Sequence, residues 1–351
     1  MTFRKFPSIE QFRNNIRAVR NRVSYAGKDA DGNPIYNHCI FPTLHLVGTV
    51  KVHGTNASIA QMKSGAEIEY GSRNGPITPE SDNAGFATYH ECTLKDSGFD
   101  IKSHFEDIRT VLKHDGPIYI YGEWAGGNIQ SGVAINGLPK MFIPFAIALY
   151  SDDTEEATRT WVLPHHTELL NSTYAPTANW FPIHLFGLHE IDIDYNTPEM
   201  VQNKLVEIMQ AIEQECPVGK HFGKLGVGEG AVWYITDPTY DYADFVMKIK
   251  GEKHSVSKVK TTASVDVEKL NSINEMVENF VTENRLKQGL DFLAEQHLDA
   301  EPKNLGPYIK WVIGDIAKEE MDVFEASGIE FKEFAKSATT KIRQWFLSNL
   351  K

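Results

Sequence analysis

Leu44-His45-Leu46-Val47-Gly48-Thr49-Val50-Lys51-Val52-His53-Gly54-Thr55-Asn56-Ala57-Ser58-Ile59-Ala60 is the stretch on which the fold turns. Strand-like alternation leads into Lys51, and a second strand-like run follows from Ala57. A lysine set between two strands, with a glycine three residues on, is placed to act as a nucleophile on phosphorus. Gly54 has no Cβ, so the backbone there can turn close to phosphate groups.

The spacing is not unique. Lysine precedes glycine by three residues elsewhere too, among other places at Lys113, Lys220, Lys248 and Lys303. The flanks separate them. Phe105 to Leu112 reads as an amphipathic helix, so Lys113 is its last-turn cation and Asp115-Gly116 the turn that follows. Only Lys51 lies between alternating runs and leads into polar Thr55 and Asn56.

Outward from that stretch, Ser8 to Gln11 has the form of a capping box, predicting a helix through about Val23. Asp29 to Asn37 reads as a loop. Strands are expected near Leu44–Val52, Ala57–Met62, Glu67–Tyr70, Ile118–Trp124, Phe142–Tyr150, Ala231–Ile235 and Phe245–Ile249. Ala87 to Lys113 reads as mostly helical. Thr197-Pro198-Glu199 predicts a helix start, with its end near Glu215. After Lys260 the pattern changes: Val265–Leu293 and Pro307–Leu350 carry helical periodicity. The Lys/Ser/Thr-rich join near Ser255–Ala263 predicts two domains, residues 1–262 and 263–351.

The chain has 351 residues, 41% hydrophobic and 23% charged, which suits a soluble globular protein with a large core. No apolar run is long enough for a bilayer and no signal-peptide core opens the chain, so neither a membrane nor export is expected. Cys39, Cys92 and Cys216 are scattered without zinc spacing, which fits a reducing cytoplasm. A net charge of −12 argues against indiscriminate coating of nucleic acid. Against that background Lys248, Lys250, Lys253, His254, Lys258 and Lys260 form a basic run that begins inside a strand pattern. His165-His166, after Pro164, reads as a surface pair. Trp124 and Trp233 read as core residues.

Four further segments carry chemistry in chain order. Tyr70-Gly71-Ser72-Arg73-Asn74-Gly75-Pro76-Ile77 sets an arginine in a turn. Tyr121-Gly122-Glu123-Trp124-Ala125-Gly126 sets a carboxylate at a strand end. Gly228-Glu229-Gly230-Ala231-Val232 sets a second carboxylate before a strand. Lys248-Ile249-Lys250 sets two lysines on one strand face.

In this order the segments resemble the collinear motifs of the covalent nucleotidyltransferases, the superfamily of polynucleotide ligases and capping enzymes. The flanks are most similar to the phage-type RNA ligase 2 family: Lys-x-His-Gly-Thr-Asn at Lys51, Arg-x-Gly-Pro-Ile at Arg73, and Gly-Glu-x-Ala-Gly running on to Ile129-Gln130. The resemblance covers about Leu44 to Lys260, and more weakly the tail, where Leu305-Gly306-Pro307 precedes a helix.

The resemblance implies an α+β fold: an antiparallel-sheet nucleotidyltransferase domain followed by a small all-α domain. It implies an ATP-dependent RNA ligase that joins 3′-hydroxyl and 5′-phosphate ends through lysyl-AMP and RNA-adenylate, with ATP and Mg²⁺ or Mn²⁺. Nicked duplex RNA as partner, a role in RNA repair, a monomeric state and a cytoplasmic setting (the host's, if phage-encoded) are implied likewise. Lys51 would carry AMP. Asn56 and Arg73 would contact ribose and phosphates or the RNA 5′ end. Glu123 would bind ribose and help hold metal, and Glu229 would bind the metal. Lys248 and Lys250 would contact the α-phosphate, and Phe145 would stack on adenine. His53 would orient the strand or touch a phosphate without being catalytic. The chain departs from the family at Ala146, where an acidic residue is common. A DNA ligase, a GTP-using capping enzyme or a non-catalytic RNA binder on the same fold are the alternatives. No β-barrel pattern follows the fifth motif, which weighs against the first two.

Overall fold

The computed structural model describes residues 3–94, 97–251 and 272–350. It divides into two compact units, one of Met1–Ile9 and Ile16–Gly251, the other of Glu10–Asn15 and Glu252–Lys351. The boundary expected near Ser255–Ala263 lies outside the described residues, as do Lys253, His254, Lys258 and Lys260.

In chain order the strands are β1 (Glu10–Gln11), β2 (Tyr25–Lys28), β3 (Pro34–Tyr36), β4 (Thr43–Lys51), β5 (Thr55–Gln61), β6 (Ile68–Ser72), β7 (Pro76–Ile77), β8 (Ile118–Ala125), β9 (Met141–Tyr150), β10 (Arg159–Val162), β11 (His189–Asp194), β12 (Gly230–Ile235) and β13 (Met247–Lys250). Within the first unit, one sheet runs β13-β12-β4-β11 and a second runs β10-β9-β8-β5-β6-β7. Neighbouring strands pair antiparallel throughout. The α+β class with antiparallel sheets is therefore as expected.

The two sheets meet through one apolar cluster. Val47 and Tyr234 enter it from the first sheet; Ala60, Tyr119, Tyr121 and Ala148 enter it from the second. Alternation gives each strand a second, outward face. On the far side of the second sheet, Trp124 and Phe142 lie against Phe86, whose ring centroid is 5.4 and 5.2 Å from theirs. His90 closes this layer: its Nδ1 lies 2.7 Å from the Phe86 carbonyl, while its Nε2 accepts from Trp180 Nε1 at 2.9 Å. Both partners are satisfied only by the neutral ring, and burial pushes the imidazole down to about 4. Trp124 and Trp233 are fully buried, as read from the sequence.

Helix Ile101–Leu112 starts where the Asp100 side chain accepts from Lys102 N, and ends at Lys113, which adopts the left-handed conformation. Its Arg109 is sunk against β5 and donates to the side-chain and main-chain oxygens of Gln61, both at 2.8 Å. Helix Gln202–Gln214 buries Leu205, Met209 and Ile212.

Several expectations need correction. The first helix runs Phe12–Ser24, so Ser8 does not cap it; wholly buried Phe12 marks its start. Asp29–Asn37 is not simply loop: β2 and β3 form a hairpin around an Asp29–Asn33 turn. The stretch from Ala87 breaks into a short helix Phe86–Thr88, a π turn Tyr89–Thr93 and the Ile101–Leu112 helix. Pro198 opens a 3-10 turn, Pro198–Val201, before the α-helix proper. Phe245 ends a helical turn, Tyr242–Phe245, that the Asp241 carboxylate caps, so β13 starts later than expected.

In the second unit, helices Ile273–Phe280, Glu283–Glu295, Leu305–Ser327 and Phe331–Ser348 replace the two long helical runs. Ser272 and Glu275 form a capping box at the first, and Gly328 in the left-handed region divides the last two. Phe280, Tyr308, Phe324, Phe334 and Phe346 lie in their common core. Arg285 is buried there with Asp315, Glu319 and Glu320 around it. The segment Glu10–Asn15 belongs to this unit, and its Arg13 pairs with Glu320 and Asp322 at 2.7 and 2.8 Å. Among the described residues no strand follows β13, and no helix is long and apolar enough to cross a membrane.

Candidate active site

Register places the lysines. Gly230 on β12 is opposite Lys51 on one side and Lys250 on the other. Residues directly opposite share a sheet face, so both lysines project alike. One rung along, Thr49, Val232 and Lys248 share that face. The next rung holds Val47 and Tyr234 of the apolar cluster between the sheets. A single face thus runs from aromatic to cationic.

Glu229, immediately before β12, is only 2% exposed. Lys51 Nζ donates to its Oε2 at 2.7 Å, and Lys250 Nζ lies 3.3 Å from Oε1. His53 Nδ1 lies 3.2 Å from Oε2. Burial opposes the charged carboxylate, but Lys51, then Lys250, then His53 outweigh it and hold the group well below the usual range. Gly230 adopts φ +147°, and any side chain there would collide with the Ile249 carbonyl. Glycine is what lets the carboxylate sit beneath both amines.

The second sheet contributes Glu123. It stands opposite Asn56 in register and on the face of Tyr119 and Tyr121. Its Oε1 accepts from Gly54 N at 3.1 Å, which ties the carboxylate to the turn after Lys51. Gln130 Nε2 donates to the Gly54 carbonyl at 3.4 Å, and Asn136 Nδ2 donates to the Gln130 carbonyl at 2.6 Å. Gly54, Glu123 and Gln130 therefore form a scaffold around the Lys51–Thr55 turn.

Phe145 sits at an irregularity of β9. Tyr121 pairs with Ala146 and Gly122 with Pro144, leaving Phe145 unpaired between them. Its half-buried ring meets Phe6 edge-on at 4.9 Å, beside the apolar cluster between the sheets. Ala146 is wholly buried opposite Tyr121, where a carboxylate would be desolvated. Arg73 is exposed in the Ser72–Gly75 turn, one residue past Ser72, the register partner of Ala57.

The structure thus brings together Lys51, Glu229 and Lys250, sets Lys248 one rung away, and joins Glu123 to the same turn. The His53 contact with Glu229 was not foreseen; its place two residues from Lys51 was the only hint. His165 and His166 are not a surface pair. They are half-buried, with His165 held by the Tyr234 hydroxyl at 3.1 Å, and burial lowers both. Among the described residues no group of three or more His, Cys, Asp or Glu is arranged to hold a metal alone. The available donors are carboxylate oxygens, which suit a hard divalent cation shared with phosphate rather than a closed protein cage.

Comparison with known proteins gives one family. The family model described as RNA ligase matches residues 44–250. No curated protein matches the sequence. Among solved structures the chain is similar to Naegleria gruberi RNA ligase: an alanine mutant with ATP and Mn at 14% identity, covering 72% of this chain and 58% of that one, TM-score 0.43. The same ligase with PPi gives 15% identity, 72% and 57% coverage, and a TM-score of 0.42. This chain therefore spans less than two thirds of the length of those it matches.

Proposed function

The chain belongs to the RNA ligase family, and from that membership we propose that it is an ATP-dependent RNA ligase carrying AMP on Lys51. The observation that carries this reading is the convergence of the Lys51 and Lys250 amines on buried Glu229 at the mouth of two facing sheets. Two lysines against one carboxylate leave a cationic surplus that an anionic triphosphate would match.

The first step is in-line displacement. Once its ammonium proton has passed to solvent, the Lys51 amine attacks the α-phosphorus, the Nζ–P bond forms, and the bond to the bridging oxygen breaks. Pyrophosphate leaves with the electron pair, and the amine proton passes to solvent. Glu229 orients Lys51 through their 2.7 Å hydrogen bond. Lys248 and Lys250 offset charge growing on the α-phosphate, a kind of stabilisation that is usually the largest single contribution. Glu123 and Asn56 would take the ribose, Phe145 the adenine, and Arg73 the RNA 5′ end. Glu229 and Glu123 would hold Mg²⁺ or Mn²⁺ together with phosphate oxygens, and the ion would neutralise phosphate charge when bound. In the second step the RNA 5′-phosphate oxygen attacks the AMP phosphorus and Lys51 leaves. In the third a 3′-hydroxyl attacks the 5′-phosphate, AMP leaves and the strand is sealed. Nicks in duplex RNA are the proposed substrate, repair the proposed role, and a cytoplasmic monomer the proposed form.

The test is label transfer. Purified protein with α-³²P-ATP or α-³²P-GTP and Mg²⁺ should retain label after denaturation from ATP alone, and Lys51→Ala should lose it. Label from GTP would move the protein to capping chemistry. Absence of label in folded protein not already adenylylated would leave a non-catalytic RNA binder.

A further inference from the structure

The β2–β3 hairpin leaves large apolar side chains exposed. Tyr25 and Tyr36 are 50% and 49% exposed, Ile35 is 42% exposed, and Ile40 just beyond is 87% exposed. The hairpin is a sheet of two strands only. Such a unit is marginal in water. Here it is braced at both ends instead. At the tip, the Asp29 carboxylate accepts from Asp31 N and Asn33 N at 2.9 and 2.8 Å. At the base, Asn37 N donates to the Ser24 carbonyl at 2.8 Å. Tyr25 and Tyr36 are register partners, so their rings lie on one face, 6.2 Å apart and edge-to-face.

The chain that leads into the hairpin is cationic. From Ile16 to Lys28 the chain carries Arg17, Arg20, Arg22 and Lys28 and no acidic residue, in a protein of net charge −12. Arg20 Nε donates to the Tyr195 carbonyl at 2.9 Å and Arg22 to the Thr239 carbonyl at 2.7 Å. Their guanidinium groups lie over Phe41 and Tyr240. Carbonyls and rings, which carry no net charge, fix these groups in place. Arg159, by contrast, is spent on Asp241. The acids nearest in sequence are Asp29, turned into its own loop, and Asp31 at the tip. Asp237 also lies within electrostatic reach of Arg22.

We infer that the hairpin is a second RNA-contacting surface, which holds unpaired nucleotides by stacking bases on Tyr25 and Tyr36 and placing phosphates against Arg20, Arg22 and Lys28. Exposed aromatic rings beside fixed cations are what single-stranded nucleic acid requires, and stacking tolerates any base. The inference rests on the ligase reading for its choice of RNA. The hairpin leads into β4 at Thr43, about 26 Å along the strand from Lys51. It would therefore affect RNA binding and not the transfer of AMP to Lys51.

The experiment compares the full-length protein with Y25A/Y36A, Y25F/Y36F and K28Q. Affinity is read by fluorescence anisotropy with a labelled single-stranded RNA 12-mer, and label transfer from α-³²P-ATP is read in parallel. Y25A/Y36A should weaken RNA binding by about tenfold or more and Y25F/Y36F should not. K28Q should lower the slope of log K against log salt by about 0.7. Label transfer should be unchanged in all, which also reports that each variant is folded. Equal affinity for the wild type and Y25A/Y36A would overturn the inference and leave the hairpin to a protein partner. Failure of the wild type to take label would overturn the ligase reading instead.

Discussion

Among the charged side chains that the described residues bury, Glu229 at 2% exposure in one unit and Arg285 at 0% in the other make a pair of opposite sign. Each is ringed by counter-charges. Glu229 faces Lys51, Lys250 and His53. Arg285 gives Nε to Asp315, one terminal nitrogen to the Phe280 carbonyl, and the other to Glu319 and Glu320. Depth does not distinguish them; their partners do. Arg285 is a rigid fork whose nitrogens are all engaged, two by carboxylates of one packed helix and one by a main-chain carbonyl, and Glu320 is held again by Arg13. Glu229 is held by amines on flexible four-carbon stems, partly open to solvent. The first arrangement is closed. The second can exchange one ion for another, as the proposed nucleotide site would have to.

The comparison can be broken by substitution. Lys51→Ala should remove label transfer entirely, to below about one thousandth of wild type, with the fold retained by circular dichroism. Arg285→Met should cost about 3–5 kcal/mol, because it removes the buried cation that Asp315, Glu319 and Glu320 face and leaves only Arg13 at Glu320. Denaturant melts would measure it, and Lys51 in the folded fraction should still take label. If Arg285→Met instead silenced labelling in folded protein, the two clusters would not differ as described.

Glu229→Gln preserves shape and removes charge. The labelling rate should fall by about 10²–10³, the range for losing one electrostatic contact in a reacting site. Glu229 also has a pH signature. Its folded value is depressed below 4.5, so its contribution to stability is complete above that value and is lost as pH falls through the folded value. Glu229→Gln should therefore flatten stability below pH 4.5.

His90 should act at higher pH. Its folded value of about 4 lies below the ordinary 6.5, so the unfolded chain binds the extra proton first. Stability should fall by about 3 kcal/mol as pH drops from 6.5 to 4, seen by Trp180 fluorescence in urea melts. A flat profile between 6.5 and 4.5 would contradict the Trp180–His90 bond. The smallest effect belongs to His53→Gln, which keeps a polar contact to Glu229. The labelling rate should drop only about fivefold, and a loss as large as that of Glu229→Gln would make His53 more than a positioning group.

What could be read from the sequence follows from physical range. Strand-like alternation marked β4 and β5, apolar runs marked β8 and β12, and the flanks of Lys51 singled it out from other lysines with the same spacing. Lys248 and Lys250 could be placed on one face because alternation is local. The Glu229–His53 contact could not, since it depends on a register between strands far apart in sequence. Phe145 depends on a bulge, and one extra residue in a strand leaves no mark in hydrophobic pattern. The hairpin was hidden because its tip is rich in turn residues and its strands are short. Arg285 read as an ordinary helical cation; only the packed helices show that Asp315, Glu319 and Glu320 close around it.

Lys51 and Lys250 flank Gly230 across two ladder spacings, about 10 Å. That interval belongs to the backbone, so no side-chain change can retune it. One residue inserted between Glu229 and Trp233 would turn alternate side chains to the wrong face. By contrast, doubling the Asp29–Asn33 tip or the Lys63–Ala66 turn costs only about 0.6 kcal/mol of closure entropy. Insertions and deletions among descendants of this chain should therefore gather at those tips, while the count of residues along the lysine-bearing ladder stays frozen.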